Sequence, residues 1–352
     1  SLDNLMKSLI YGYGETGKSF ERYLNNKNLE FEIFDENISN YNKKFNLNDF
    51  DQILCSPGIP KSTFEEINKE NNNVLTDIDI FFNDDKSIKI GITGTNRKST
   101  TAFHLYQLFE GYRTANLIGN IGKPVLDFIN NHKDYSIIEL SSFQLEKMKV
   151  NKLDFGILLN IDIDHLDHHG NFESYKAAKE KILLAKNNIS HKTCPYELFE
   201  WITNNTAKKI NFKNLPFRLE MISKNIINDS KSTNFHSLSY ALDEIKNIFH
   251  SEYILIVCGD PSKEQNRDVI IDGPKAIYIF GHHAQQINKR ISHKNKHCFK
   301  NLKDVFEFIR KKDFSQNILF SPGYPSGKDY KDFNERGEAF NHFAQNYINE
   351  YK

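Results

Sequence analysis

The residues best suited to chemistry lie just after an apolar stretch at positions 88–92. There the chain reads Thr93-Gly94-Thr95-Asn96-Arg97-Lys98-Ser99-Thr100 and continues into a helix-forming run. Backbone N–H groups of such a turn and of the following helix start attract anions. Lys98 can reach the outer phosphates of a bound triphosphate, and the hydroxyl of Ser99 or Thr100 can bind Mg²⁺. The loop therefore predicts a triphosphate site, although its spacing differs from the strict G-x-x-x-x-G-K-[ST] pattern.

Polar residues follow two further apolar stretches, at 135–140 and 155–160, that are typical of buried parallel strands. Because the carboxyl ends of parallel strands share one sheet edge with the phosphate loop, acidic side chains there can hold Mg²⁺ directly or through water. These polar residues are Glu139, Ser141, Ser142 and Gln144, and then Asn160, Asp162, Asp164, His165, Asp167, His168 and His169. Most of the second group is typical of a solvated loop, and only His165 is retained as a metal ligand.

A second glycine-rich loop, Gly12-Tyr13-Gly14-Glu15-Thr16-Gly17, follows the apolar residues 8–11. The next predicted strand, at 31–34, ends at Asp35. This is the dinucleotide-binding pattern, and taken alone it predicts an NAD-dependent oxidoreductase. The backbone of such a loop indicates only that a phosphate-bearing ligand can bind there. A tight turn between a strand and a helix, with no ligand, would need the same glycines. A further turn, Ser56-Pro57-Gly58, lies at the same predicted sheet edge.

The order of predicted elements indicates an α/β protein with three domains, each built around a largely parallel sheet. We expect a Rossmann-like N-terminal domain over residues 1–84, a P-loop-type central domain over 85–217 and a Rossmann-like C-terminal domain over 218–352. Domains of this kind bind their ligands in clefts. The predicted strands of the last domain lie at 253–258, 276–280 and 317–320, and its final helix begins near Asp329.

The composition argues against several other classes of protein. Lys and Arg total 46, as do Asp and Glu, so the net charge of zero gives no basic surface for nucleic acid. No apolar run reaches the length of a membrane span, and no signal peptide is recognisable. The cysteines lie far apart and form no C-x-x-C pair, which is typical of free thiols in a reducing cytoplasm: Cys55, Cys194, Cys258 and Cys298.

Several stretches together resemble the Mur ligase family and its relatives, the folylpolyglutamate synthases. They are the phosphate loop at 93–100, Gly119-Asn120-Ile121-Gly122, the E-L-S-S-F-Q-L-E sequence at 139–146, the N-D-S-K-S-T-N sequence at 228–234, and Ser321-Pro322-Gly323 with Ser326, Phe333 and Glu335-Arg336-Gly337. Relatives that add diaminopimelate or lysine usually have a D-Y-A-H-x-P sequence where this chain has residues 228–234. The resemblance therefore favours the family members that add D-glutamate.

The resemblance implies an ATP-dependent ligase that joins D-glutamate to UDP-N-acetylmuramoyl-L-alanine through an acyl phosphate, in peptidoglycan precursor synthesis. It implies ATP and two Mg²⁺ sites, small-molecule substrates only, and a monomer in the cytoplasm. One alternative is another Mur-type or folylpolyglutamate-type amino-acid ligase, and a second is the NAD-dependent oxidoreductase. A third is a nucleotide-binding protein with impaired catalysis.

The resemblance also implies ligand contacts, residue by residue. The ATP contacts are Gly94, Thr95, Asn96, Lys98, Ser99, Thr100, Arg218, Asp229, Lys231 and Thr233. The UDP-substrate contacts, in place of an NAD site, are Gly14, Thr16, Asp35, Ser56, Gly58, Asn120, Ser142 and Gln144. The catalytic and metal residues are Lys98, Ser99, Glu139, His165 and Lys179, the last carbamylated to bind the second Mg²⁺. The D-glutamate contacts are Lys263, Ser326 and Phe333. Without the resemblance, Lys179 in its Ala- and Lys-rich helix would be expected to be solvated.

The chain departs from the family pattern in three places. Arg97 stands where the family has a glycine, which would be strained if the backbone there is left-handed. The stretch between Lys186 and Arg218 is short and lacks the G-x-H-N-x-x-N motif whose Asn contacts adenine, so the central domain is either trimmed or incomplete in this sequence. Phe217 replaces the histidine of a His-Arg pair. These departures bear on adenine recognition and on rate, whereas the expected fold and substrate class stand.

Overall fold

Parallel strands flanked by helices recur along the chain, which confirms the predicted α/β class. The computed structural model describes residues 6–95, 97–121, 123–161, 172–263, 268–312 and 316–350. The chain divides into two units, Ser1–Lys213 and Asn214–Lys352. The first unit contains two of the three main sheets, so this division into units does not separate the first two predicted domains. The predicted domain limits at 84 and 217 therefore stay predictions.

The first sheet has the strand order β2-β1-β3-β4, and all its pairs are parallel. Apolar residues on both faces pack against the helices that connect the strands. The strands are β1 (Lys7–Tyr11), β2 (Glu30–Phe34), β3 (Gln52–Cys55) and β4 (Val74–Leu75), and the helices are α1 (Glu15–Asn26), α2 (Lys61–Glu70) and α3 (Asp77–Asp84).

The second sheet has the order β6-β7-β5-β8-β9 and is also entirely parallel, with β5 in the middle. The predicted strands at 135–140 and 155–160 are confirmed, although they end slightly earlier. The strands are β5 (Ile88–Thr93), β6 (Ala115–Gly119), β7 (Tyr135–Glu139), β8 (Phe155–Leu158) and β9 (Asn187–Ser190), and the helices are α4 (Lys98–Glu110), α5 (Ser142–Lys147), α6 (Phe172–Glu180) and α7 (Pro195–Thr203). The carboxyl ends of β5, β7 and β8 therefore lie side by side.

The second unit contains a sheet of order β10-β11-β17-β12-β14-β16, in which only the β10–β11 pair is antiparallel, and a small β13–β15 pair. Its strands are β10 (Glu220–Ser223), β11 (Ile226–Asn228), β12 (Tyr253–Cys258), β13 (Val269–Ile270), β14 (Ala276–Phe280), β15 (Ile291–Ser292), β16 (Lys296–Phe299) and β17 (Asn317–Gly323). Its helices are α8 (Phe235–Glu244), α9 (Ala284–Arg290), α10 (Leu302–Arg310) and α11 (Phe333–Asn349).

Two predicted boundaries in this unit shift for visible reasons. The strand predicted to end at 320 continues to Gly323, because β17 follows β12 through a register shift near Cys258. The last helix begins at Phe333 rather than near Asp329, because the Asp332 side chain accepts a hydrogen bond from the Glu335 N–H and caps the helix start there. Within the described ranges, no helix is long and apolar enough to span a membrane.

Candidate active site

The phosphate loop leaves β5 and is held against the end of β8. The Thr95 N–H donates to the carbonyl oxygen of Asn160 at 3.2 Å and to its Oδ1 at 2.9 Å. A Cβ placed on Gly94 would lie only 3.0 Å from the Leu159 Cβ, so the loop passes very close to the neighbouring strand end. Asn96, one of the predicted ATP contacts, lies outside the described residues. The remaining loop backbone is fixed at the sheet edge where anions are expected.

Arg97 has a left-handed backbone, with φ 64° and ψ 11°, and forms the N-cap position of α4. This is the conformation for which glycine is best suited, and a non-glycine residue there costs on the order of 1–2 kcal/mol. The carbonyl of Arg97 accepts the Thr101 N–H at 2.8 Å, which closes the first turn of the helix. The side chain is exposed. The sequence departure at this position is therefore a strained one.

A buried carboxylate and a buried hydroxyl lie together beneath the loop. The Ser99 hydroxyl donates to both oxygens of Glu139, at 2.9 and 2.8 Å. Glu139 is 1% exposed and ends β7, and its carbonyl accepts the N–H of Asn120 at 2.8 Å. Gly119, with φ 102°, allows this close approach, because a Cβ there would clash with the same carbonyl. Oxygen donors of these types are the ligands that Mg²⁺ prefers, so Ser99 and Glu139 fit a magnesium ion.

Lys179 extends from α6 into the same cluster instead of into solvent. It is 1% exposed, and its Nζ donates to Thr93 Oγ1 and to the Gly94 carbonyl, both at 2.9 Å. Burial, reinforced by the nearby Lys98 ammonium and opposed by Glu139, lowers the pKa of Lys179 to about 6. Its amine is therefore mainly neutral at pH 7. The expectation of a solvated lysine, drawn from helix composition alone, is wrong.

Thr93 and Tyr175 belong to this cluster although sequence reasoning did not single them out. The Thr93 hydroxyl accepts from Lys179 and donates to the Leu140 carbonyl at 2.7 Å. The Tyr175 hydroxyl lies 2.9 Å from Thr95 Oγ1. The sequence could have indicated Tyr175, because it precedes Lys179 by four residues and so lies on the same face of the helix.

The predicted histidine ligand cannot be placed. His165 and the polar residues around it lie outside the described part of the chain, which has a gap at 162–171. Among the described residues, no group of three or more His, Cys, Asp or Glu side chains is arranged to hold a metal ion. The structure brings together Lys98, Ser99, Glu139 and Lys179 out of the predicted catalytic set.

The loop after β1 is held by hydrogen bonds to its backbone, which come from other backbone groups and from two side chains. Gly12 has φ 92°, and its N–H donates to the Phe34 carbonyl at 2.8 Å. The Asp35 carboxylate accepts the N–H groups of Tyr13 and Asn37, at 2.8 and 2.9 Å. Ser56 Oγ donates to the Gly12 carbonyl at 3.3 Å, which ties this loop to the end of β3.

The remaining UDP-substrate candidates lie at two loop ends. The space around Gly14 and Gly58 is open, since a Cβ added at either position would meet no neighbouring atom within 4 Å. Thr16 is the second residue of α1, for which Gly14 is the N-cap. Gln144 and Ser141 form a reciprocal cap of α5, in which Gln144 Oε1 accepts the Ser141 N–H at 2.9 Å. The S-x-x-Q spacing could have predicted this cap. Asn120 is exposed, whereas Ser142 is buried in the first turn of α5.

In the second unit, the predicted nucleotide contacts surround a buried carboxyl group. Asp229 accepts from the Ser321 hydroxyl at 2.8 Å and from the Leu219 N–H at 3.1 Å. Burial raises the pKa of Asp229 to about 7, against the opposing effects of these two hydrogen bonds and of the nearby Arg218 and Arg336 charges. The half-buried Lys231 and Thr233 follow on the same loop.

The D-glutamate candidates lie close to this loop within the same unit. Phe333 begins α11, and the Lys231 Nζ lies 5.7 Å from the centre of its ring. Ser326 is 9% exposed. The side chain of Lys263 lies outside the described residues, although its backbone ends a short 3₁₀ turn.

The ring of Phe217 packs directly against Gly337, where no larger residue would leave it room. Its backbone is left-handed, with φ 62°, and its N–H donates to Glu220 Oε2 at 3.0 Å. A Cβ on Gly337 in α11 would clash with the Phe217 ring. The aromatic replacement of the expected histidine is thus accommodated by packing.

The chain is similar to known proteins in sequence and in fold. A family model described as the Mur ligase middle domain matches residues 92–254. The UDP-N-acetylmuramoylalanine--D-glutamate ligases of Francisella tularensis subsp. holarctica (strain LVS) and subsp. novicida (strain U112) are each 30% identical, over 96% of this chain and 95% of their own length. Their alignments span 407 and 410 positions, so both relatives have residues that this 352-residue chain lacks.

Solved structures show the same fold at low sequence identity. The MurF ligase of Thermotoga maritima in complex with ADP is 14% identical, with a TM-score of 0.59 over 99% of this chain and 96% of that one. The MurC ligase of the same organism is 13% identical, with a TM-score of 0.56 over 97% and 99% of the two chains. With the identity and coverage of the Francisella relatives, these matches show that the chain belongs to the Mur ligase family.

Proposed function

We propose that this protein uses ATP to join D-glutamate to UDP-N-acetylmuramoyl-L-alanine in peptidoglycan precursor synthesis. The observation that supports this most directly is the cluster at the phosphate loop, where the partly buried Lys98 lies near the buried side chains of Ser99, Glu139 and Lys179. The 30%-identical relatives of this chain are named for that ligation. The loop after β1 then binds the UDP moiety, which also explains its dinucleotide-like glycines without an NAD-dependent reaction.

The reaction consists of two displacements. The substrate carboxylate attacks the γ-phosphorus of ATP, the bond to the β–γ bridging oxygen breaks, and ADP leaves with that electron pair. The D-glutamate amine then attacks the acyl carbon and loses a proton, and inorganic phosphate departs as the amide forms. Lys98 stabilises the negative charge on the transferred phosphoryl group. Ser99 and Glu139 would hold a Mg²⁺ ion, which would supply further positive charge to the phosphate oxygens.

The proposal also includes a modification of Lys179, the carbamylation of its side-chain amine. A neutral amine can attack CO₂, forming a bond between Nζ and carbon and releasing one proton, and the lowered pKa of Lys179 provides that neutral form. The resulting carbamate is an anionic oxygen ligand, and with Glu139 and His165 it would complete a second Mg²⁺ site. Supply of ¹³C-bicarbonate should give a carbamate signal in ¹³C NMR that is absent from Lys179→Ala. A wild-type protein without the signal would contradict carbamylation.

ATP turnover with a panel of amino acids tests the function. ADP release and product mass are measured with UDP-N-acetylmuramoyl-L-alanine and D-glutamate, L-glutamate, diaminopimelate or L-lysine. D-Glutamate should be the good substrate, because Ser326 and Phe333 lie in the C-terminal motif of D-glutamate-adding members. Turnover with diaminopimelate or L-lysine would move the protein to another ligase specificity, and ATP binding without turnover would indicate an impaired nucleotide-binding protein.

A further inference from the structure

A fully buried arginine joins two loops of the second unit. Arg336 lies in the first turn of α11 and is 0% exposed. Its Nη2 donates to the Ser230 carbonyl at 2.7 Å, and its Nη1 donates to the Tyr324 carbonyl at 2.8 Å. Its Nε donates to the Ser230 hydroxyl at 3.2 Å. One rigid guanidinium therefore fixes the distance between Ser230 and Tyr324.

Ser230 continues the connection to the start of α11. Its hydroxyl, which accepts from Arg336, donates to the Phe333 carbonyl at 2.8 Å. Its N–H donates to Asn228 Oδ1 at 3.0 Å, which holds the loop in place behind β11. Ser230 is itself 0% exposed, so all of these contacts are shielded from water. We call Ser230 and Arg336 the junction.

The two loops that meet at the junction carry different proposed ligand contacts. The loop at 228–234 contains the proposed nucleotide contacts Asp229, Lys231 and Thr233. Phe333 is a proposed D-glutamate contact, and Tyr324 lies two residues before Ser326, the other proposed contact. The Lys231 Nζ lies 5.7 Å from the Phe333 ring centre, so the two sets of contacts also meet directly.

Burial makes this connection stiff. A guanidinium out of contact with water is costly unless its N–H groups are hydrogen-bonded, so a shift of either loop would leave donors of Arg336 unsatisfied. The surrounding low dielectric strengthens the hydrogen bonds that are made. The positions of the two loops are therefore set together.

We propose that the Ser230–Arg336 junction positions the nucleotide loop and the amino-acid pocket as one unit, so that weakening it impairs both ligands. This inference rests on the proposed function. Ser230 and Arg336 act as positioning residues through Lys231, Phe333 and their neighbours.

Two variants test the junction. Arg336→Lys keeps the charge but loses the forked geometry, and Ser230→Ala removes one hydroxyl and leaves Arg336 in place. Each should raise KM for both ATP and D-glutamate about tenfold, since buried hydrogen bonds of this kind are lost. KM for UDP-N-acetylmuramoyl-L-alanine should stay unchanged, because its proposed contacts lie in the first unit. Arg310→Lys is the matched control, because that arginine pairs with Glu350 on the surface of the same unit and all three KM values should stay at wild-type levels.

The outcomes separate positioning from mere stability. A lower kcat or melting temperature with unchanged KM values would reduce the junction to a structural role, and a change in only one of the two KM values would overturn the coupling. If circular dichroism shows that Arg336→Lys does not fold, Ser230→Ala decides. A wild-type protein that turns over none of the amino acids would refute the proposed function instead, and calorimetry with ADP and D-glutamate on the same variants would still test the junction.

Discussion

The loop after β1 and the loop after β5 both leave an interior parallel strand and lead into a helix. Among their described residues, each has a left-handed backbone position, Gly12 with φ 92° and Arg97 with φ 64°. Around the first loop, the Asp35 carboxylate accepts two backbone N–H groups. Around the second, the buried ionisable side chains of Glu139 and Lys179 converge with Lys98.

Under the proposed function, we expect the first loop to serve binding and the second to serve catalysis. A glycine-containing turn that leads into a helix N-terminus is enough to hold a phosphate, and both loops have that backbone plan. Charge development during phosphoryl transfer requires preorganised charges in a shielded site. Of the two loops, the second has such charges beside it, on the described residues Glu139 and Lys179. We therefore expect substitutions at the two loops to affect different quantities.

The largest expected effect is that of Lys98→Ala. It should lower the rate of ADP release by about 10³-fold, because a charge that stabilises the transferred phosphoryl group is lost. Binding of the UDP substrate, measured by calorimetry, should stay nearly intact. Equal loss of both in a folded variant would contradict the division between the loops.

Lys179→Ala should lower turnover by about 10²-fold, as expected when a group that orients a metal or substrate is removed. Acetate should restore part of this activity by occupying the vacated anion position, whereas Glu139→Ala should not respond to acetate. The measurement is turnover against acetate concentration for both variants. An active Lys179→Ala enzyme would exclude the carbamate proposal.

Gly12→Ala should act on binding instead of on chemistry. An alanine at φ 92° is strained, and its Cβ would lie 3.3 Å from Ser56 Oγ. KM for the UDP substrate should rise about tenfold, in line with a strain of 1–2 kcal/mol, while KM for ATP stays constant. A matching rise in KM for ATP would show that the two loops are not independent.

The buried amine also predicts a pH dependence of stability. The pKa of Lys179 is about 6 in the folded protein and 10.5 as its ordinary value, so between these limits the folded state binds fewer protons than the unfolded one. The free energy of unfolding should therefore rise with pH across this window through Lys179, by at most about 1.4 kcal/mol per pH unit. Urea titrations in CO₂-free buffer should show a smaller slope for Lys179→Met, and the slope of Lys176→Met, in the same helix, serves as the control. Identical slopes for wild type and Lys179→Met would contradict the shift.

The smallest effect is expected from Arg97→Gly. Removal of a left-handed non-glycine residue should stabilise the protein by up to about 1 kcal/mol, since part of the gain is offset by the greater freedom of glycine when unfolded. ATP affinity should hold or rise. A clear loss of affinity, with unchanged stability, would mean that the Arg97 side chain contributes to phosphate binding.

Much of this arrangement could be read from local patterns. The phosphate loop, the strands at 253–258 and 276–280 and the polar strand ends follow from periodicity and turn chemistry, which act over a few residues. The burial of Lys179 and the role of Arg336 could not, because their partners Thr93 and Ser230 are distant in sequence and meet only in the folded chain. Helix composition even pointed the wrong way for Lys179, since a tertiary contact overrode a local preference.

The fit of Phe217 against Gly337 has an evolutionary consequence. The two positions are more than a hundred residues apart, yet a side chain at 337 has no room while the phenyl ring of Phe217 packs against the backbone there. A lineage could acquire alanine at 337, which a helix ordinarily favours over glycine, only after residue 217 had become smaller. The order of substitutions is thereby constrained, and the two positions should covary in descendants of this sequence.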